Sequence, residues 1–361
     1  MTDVHVTIDG VVLYCDETLE GIILGNGYTI RKHCLDDLSY KNRLTDGNGK
    51  ISINYLGSRK FEDNKIYFMC LHKEDTYQIK PPEVKPGIVI TDRDTMCEEQ
   101  LDEYKEKELA YIRRQFSLLR LFKKGNIGCK EIFFTHKFNV FGIISNTQNQ
   151  TSDSVTRNIV DSTIYTLSEN EVTACNSYLQ TYSGKEFDIL RDCIDEFLWG
   201  LEGTDIATAF EQYTTALEMI FLAKNQQNKK QVLSKRIAVL LGTTSEEIDA
   251  LYKKMLNYYR FRSESLHEGN GSHITNDELK ELEDITREVL CKYLIFCKQE
   301  VTRNSNITWK KIKSNKISDL KNQVKVAIEN GILPRNEYGF LDRVKRGIHK
   351  LKTSRRKQYG R

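Results

Sequence analysis

LYKKMLNYYRFRSESLHEG, Leu251 to Gly269, decides how the second half of this chain is read. At about 100° per residue, Leu251, Tyr252, Met255, Leu256, Tyr259 and Leu266 share one face, and Ile248 extends it upstream. That spacing specifies an amphipathic helix. Thr244 and Glu247 form a capping-box pair at its start, and Gly269 is placed to end it near His267. Arg262 falls inside the apolar stripe, where a guanidinium is costly unless it is paired or faces a wet cleft. His267 lies in the last turn, where the helix dipole favours the protonated ring.

Upstream, the pattern stays helical. EFDILRDCIDEFLWGL (186–201) is one helix, and a second begins near Asp205 with Ile206, Ala209, Phe210, Tyr213, Leu217, Ile220 and Phe221 on one face. QVLSKRIAVLLG (231–242) is a third, stopped by Gly242. Downstream, Thr275 and Glu278 repeat the capping arrangement for a helix with Leu279, Leu282, Ile285, Val289, Tyr293 and Phe296 inward. Five helices with short connections imply an antiparallel bundle over 186–300.

The first 95 residues read as β-rich. VHVTIDGVVLYC, KISINYLG and KIYFMCLH are short β-branched and aromatic runs between Gly, Asn and Asp turns. Three of the four prolines fall in KPPEVKPG (80–87), which marks a domain edge or rigid loop. Residues 96–185 are mixed: a helix over 98–122 with Leu101, Leu109, Ile112, Phe116 and Leu119 as its stripe, a strand run over 130–144, and a polar loop over 145–154. The expected fold is therefore α+β: a β-rich domain (1–95), a mixed region completing it (96–185), the bundle (186–300), and a basic extension (301–361).

Charge sharpens the picture of that extension. From Lys310 onward there are 16 Lys/Arg against 4 Asp/Glu, although the whole chain has a formal charge of only +3. FLDRVKRGIHKLK (340–352) sets Phe340, Leu341, Val344, Ile348 and Leu351 opposite Arg343, Lys345, Arg346 and Lys350. Such a basic amphipathic segment suits a polyanion, and these four cations are candidate RNA contacts. No apolar run approaches the roughly 20 residues of a membrane span, and the start lacks the order of a signal peptide. Nine cysteines without a C-x-x-C pair imply reduced thiols and a cytoplasmic protein, with no zinc site.

Arg262 and His267 together suggest phosphoryl chemistry. A histidine can take the proton of a 2′-hydroxyl while a guanidinium holds the phosphate and offsets its developing charge. Five positions rotate by roughly 140° along an ideal helix, so the pair does not simply converge within one chain. It converges at a frayed helix end, or across a two-fold axis that brings two copies of the motif together. The alternative is that both residues only cap or decorate the helix end. Arg260, seven before His267, is a rival arginine on nearly the same helical face, and Ser263 could orient the histidine. No carboxylate or cysteine stands at metal-ligand spacing from His267 or His273, so neither metal nor cofactor is expected.

LYKKMLNYYRFRSESLHEG, preceded by TALEMIF and LSKRIAVLLG, resembles the Apea-like branch of the HEPN superfamily, which is marked by R-x(4–6)-H near the end of a bundle helix. Arg262 to His267 fits the shortest spacing and Arg260 to His267 the longest. The Arg-Ser dipeptide and Gly269 are like this branch, and LRLFKKGNIGCKEIFF (119–134) is similar to a segment found before the bundle. The resemblance covers 186–300 well, 119–134 loosely, and the ends of the chain hardly at all. It implies a metal-independent endoribonuclease acting as a homodimer or higher oligomer in antiphage or toxin-like defence. His267 would be the acid/base, Arg262 the phosphate-binding residue, and Glu218 an acidic supporter from the second bundle helix. The N-terminal region would meet a trigger or regulatory protein. The alternative is a non-catalytic HEPN module that binds RNA or a partner protein. Adenylylated toxins of the superfamily have a Tyr two places after the His; Gly269 stands there in this chain.

Overall fold

The computed structural model describes residues 2–38, 40–45, 50–51, 58–80, 93–129, 131–140, 143–152, 164–203, 205–268 and 274–335, without the side chains of 93–98, 138–140, 143–152 and 263–268. Two compact units emerge: Met1–Ile220 with Phe261–Ile312, and Phe221–Arg260 with the chain from Lys313 onward. A β-rich N-terminal region and a mostly helical C-terminal part make up the described chain.

The first unit opens with an antiparallel sheet. Its strands are β1 (Thr2–Leu13), β2 (Ile23–Gly25), β3 (Tyr28–Cys34), β4 (Lys60–Glu62), β5 (Lys65–Ile79), β6 (Gly128–Cys129), β7 (Glu131–Val140) and β8 (Ile143–Ser152). They run in the order β2-β3-β5-β1-β7-β8, with β4 on β5 and β6 on β1. β1 is central because its sequence alternates. Val4, Val6 and Ile8 are buried while Asp3 and His5 face out, and this period of two pins the register Thr2↔Ile79 to Val11↔Cys70. A single-turn helix, α1 (Lys41–Leu44), supplies Leu44 to a core cluster with Val11, Leu13, Tyr40 and Phe133.

The polar run expected as a loop over 145–154 is instead mostly strand: β8 pairs with β7 from Glu131↔Ser152 to Val140↔Ile143. Ladder hydrogen bonds satisfy the backbone whatever the side chains are. A strand built from Ser, Asn, Thr and Gln carries no apolar alternation to read.

α2 (Arg93–Phe122) covers the sheet through the expected stripe, with Leu101, Leu109, Ile112, Phe116 and Leu119 all buried. One ion pair locks it in place. Glu108 is 2% exposed and accepts from Lys73 Nζ at 2.9 Å and from the Tyr28 hydroxyl at 2.7 Å. A buried carboxylate so satisfied fixes α2 against β3 and β5.

The helical remainder of this unit is α3 (Glu169–Tyr182), α4 (Lys185–Leu201), α5 (Ile206–Phe221) and α8 (Asn276–Arg303), with the C-terminal end of α7 (Ser245–Glu268) and the start of α9 (Trp309–Glu329). Leu190, Ile194 and Phe197 of α4 are fully buried, as are Phe210, Tyr213 and Leu217 of α5 and Leu282, Val289 and Tyr293 of α8. Gly200 permits this packing: a Cβ there would overlap the Tyr213 ring. The Thr275–Glu278 capping box opens α8 in both directions, with Glu278 N–H donating to the Thr275 hydroxyl at 3.2 Å and Thr275 N–H to the Glu278 carboxylate at 2.9 Å.

The second unit comprises α6 (Lys229–Leu241), the N-terminal two-thirds of α7 and the greater part of α9. Its core includes Ala238, Tyr252, Ala327 and Leu333. α9, which the sequence reading left within the extension, ends in a Schellman motif. Gly331 takes a φ of +74°, Ile332 N–H donates to Ala327 O at 2.9 Å, and Gly331 N–H donates to Ile328 O at 3.1 Å. The reversal returns Leu333 to the core, where it is 2% exposed.

Candidate functional site

The helix that carries the motif begins as its sequence dictates. Thr244 N–H donates to the Glu247 carboxylate at 3.3 Å and Glu247 N–H returns to the Thr244 hydroxyl at 3.2 Å, which opens α7. Gly242 ends α6 in the preceding turn, where a Cβ would lie 2.7 Å from Ile248 Cγ1. The most buried face of α7 passes through Tyr252, Met255 and Tyr258. Ile248, Leu251, Leu256 and Tyr259 are half-buried flanks. Continuing this face by four positions from Tyr258 arrives at Arg262.

Arg262 has a carboxylate beside it at ion-pair distance, with no hydrogen bond to the near oxygen. Its Nη1 lies 3.4 Å from Glu218 Oε1, with the two side chains only 19% and 15% exposed. Glu218 stands on α5 directly after fully buried Leu217, and Phe261, next to Arg262, meets Phe210 of α5 edge-on at 6.5 Å. One pair of helices thus brings together two of the residues singled out from sequence. At this separation and exposure the attraction is partly screened.

The rest of the set divides. Arg260 is exposed. The backbone of Ser263 and His267 is helical within α7, and their side chains lie outside the described residues, as does His273. Arg343, Lys345, Arg346 and Lys350 also lie outside them. Among the described residues no group of three or more His, Cys, Asp or Glu is placed to hold a metal ion. Nor is any described helix long and apolar enough to cross a membrane. The described cysteines are free thiols, and all but Cys291 are buried.

A concave feature in the other unit was missed from sequence. A cavity of about 270 Å³ is lined by Gln226, Gln227, Gln231, Lys235, Lys321 and their neighbours. A signal for it was present: NQQNKKQ (225–231) puts two lysines and no acid in the first turn of a helix, the reverse of what the helix dipole favours.

No protein-family model matches the chain, and neither a curated protein nor a solved structure matches it.

Proposed function

We propose that this protein is a metal-independent endoribonuclease of HEPN type, serving as an antiphage or toxin-like defence effector. The observation that carries the reading is the Arg262–Glu218 pair: an arginine inside an apolar helical face, held by a carboxylate from the second bundle helix, five residues before a histidine. A guanidinium has five donors in a planar fork, so it can serve a carboxylate and a phosphate together. Glu218 orients Arg262, and Arg262 holds the non-bridging oxygens of the scissile phosphate.

In this reading His267 takes the proton of the 2′-hydroxyl. The freed oxygen attacks the adjacent phosphorus, the bond to the 5′-oxygen breaks, and a protonated histidine supplies the proton of the leaving group. The products are a 2′,3′-cyclic phosphate and a 5′-hydroxyl. Because residues 262 and 267 diverge by roughly 140° around the helix, the acid/base and the phosphate clamp come from two copies of the motif across a two-fold axis. The protein therefore works as a homodimer.

The test is cleavage of labelled RNA in excess EDTA. The expected result is product ending in a cyclic phosphate, lost in His267→Ala and Arg262→Ala while helical circular dichroism is retained, and kept in Arg260→Ala. RNA left intact by micromolar wild-type protein in its dimeric form overturns the proposal. Binding without cleavage then favours the non-catalytic module, in which Arg262 and Glu218 only join two helices.

A further inference from the structure

The cavity between α6 and α9 is a charged feature that the cleavage chemistry does not use. Lys321 lines it from α9, while Gln226, Gln227 and Gln231 line it from the start of α6 and the residues before it. Lys229 and Lys230 occupy the first turn of α6, where the helix dipole is positive and cations are disfavoured. Asn228, at the N-cap, has a φ of +58° and makes no side-chain capping bond. The start of this helix therefore collects positive charge without a capping acid.

Among the described residues, none of Lys229, Lys230 and Lys321 has a carboxylate within 4.0 Å. Three of the five acids in the described part of the unit are engaged elsewhere: Asp249 with Lys253 at 2.6 Å, Glu329 with Lys325 at 3.8 Å, and Glu247 in the α7 cap. The described part of the unit, 221–260 and 313–335, has 13 Lys/Arg against 5 Asp/Glu. Such a surplus is a footprint for a polyanion.

A second observation points to more than a bare phosphate. Gln231 Oε1 is buried and has no hydrogen-bond partner, though its residue lines the cavity. Buried acceptors are nearly always satisfied, and the exocyclic amine of a nucleobase is a donor of the right kind. Lys321 and an unmatched amide oxygen in the wall of a cavity of about 270 Å³, with Lys229 and Lys230 in the helix turn beside it, together describe a place for one nucleotide of a chain.

We infer that the α6–α9 cavity is an RNA-holding subsite, in which Lys321 from the cavity wall and Lys229 and Lys230 from the adjoining first turn of α6, outside the lining, take backbone phosphate and Gln231 accepts from a base edge. The choice of RNA over other polyanions rests on the ribonuclease reading; the site itself rests on charge and cavity. The charge surplus of the whole unit, set beside a cavity with room for one nucleotide, fits an extended strand rather than a free nucleotide.

The test uses the full chain carrying His267→Ala, so that binding is read without cleavage and a failure of catalysis is scored separately. Fluorescence anisotropy with a labelled single-stranded 12-nucleotide RNA is recorded over a salt series. Removing three phosphate contacts in Lys229→Ala/Lys230→Ala/Lys321→Ala should reduce the slope of log affinity against log salt by about 2, at about 0.7 per contact. Gln231→Ala should weaken binding about fivefold with the slope unchanged, the pattern of a base contact rather than a phosphate contact. A control without two exposed lysines of the first unit, Lys107→Ala/Lys137→Ala, should keep the parent slope. The inference is overturned if the triple variant and Gln231→Ala bind as the parent does, or if the control loses slope equally per lysine. It is also overturned if adenosine monophosphate binds as tightly as the oligonucleotide, which would make the cavity a free-nucleotide site.

Discussion

His136 should make the fold acid-sensitive, and the size of the effect can be worked from its surroundings. The ring lies on β7, is 0% exposed, and stacks on Phe134 at 6.1 Å with an interplanar angle of 9°. Its Nδ1 shares a hydrogen bond of 3.3 Å with the Tyr77 hydroxyl, and its Nε2 is buried without a partner. Burial is the main cause pushing its pKa down from 6.5 to about 4; Lys105 adds to the fall and Asp102 opposes it. The folded-state value lies below the unfolded one, so the unfolded chain binds the proton first. Stability is full above pH 6.5 and is lost as pH falls from there through about 4. At about 1.4 kcal/mol per pH unit, the window removes about 3 kcal/mol. Urea titrations of the wild type and of His136→Phe at pH 7.5, 6.0, 5.0 and 4.0 isolate this contribution, because the carboxylates are common to both. The variant should gain about 3 kcal/mol relative to wild type between the two ends of the series. Parallel stability curves would refute the reasoning, since they would mean that the ring is solvated and accepts its proton at no cost.

Three further outcomes follow from particular contacts. Asp9 accepts from His72 at 2.8 Å and raises the histidine's pKa, so that contribution is present below pH 6.5 and fades as pH rises through the elevated folded value; His72→Gln should lose stability at pH 6 and much less at pH 9, as read by thermal melts. Gly200→Ala forces a methyl against the Tyr213 ring and should cost about 1–3 kcal/mol, with an unchanged urea midpoint counting against the close α4–α5 packing. Glu108→Ala removes the carboxylate between Lys73 and Tyr28. It should cost about 3 kcal/mol, the low end for a buried pair because Asp75 still holds Lys73 at 2.8 Å, and a loss below 1 kcal/mol would show that α2 is anchored by its apolar stripe alone.

How much could be read in advance varied with the kind of signal. The capping boxes at Thr244 and Thr275 were legible because both halves of each device lie within four residues. The α2 stripe was legible for the same reason: period and burial agree residue by residue. β8 was not, since a polar strand is defined by a partner that sequence spacing does not show. α9 was hidden by its many lysines, which mask a sparse apolar face containing Ile312, Leu320 and Ala327. Helix propensity without a clear stripe leaves a basic segment ambiguous.

Local chemistry alone was enough to place the helix of Arg262 and His267, its start at Thr244, and the anomaly of a charge within an apolar face. The family resemblance offered Glu218 as the carboxylate for that charge, but whether it lies beside Arg262 was a tertiary matter. Glu218 is 44 residues away in sequence, and nothing in the spacing distinguishes it from other acids flanking an apolar face. Packing of α5 against the end of α7 brings it to 3.4 Å. The α6–α9 cavity likewise exists only because the chain after Ile312 returns to the helices around Lys229. A sequence displays periodicity and caps because these act over one or two turns. Partners and cavities depend on where distant segments meet, and that is decided by the whole set of apolar faces at once.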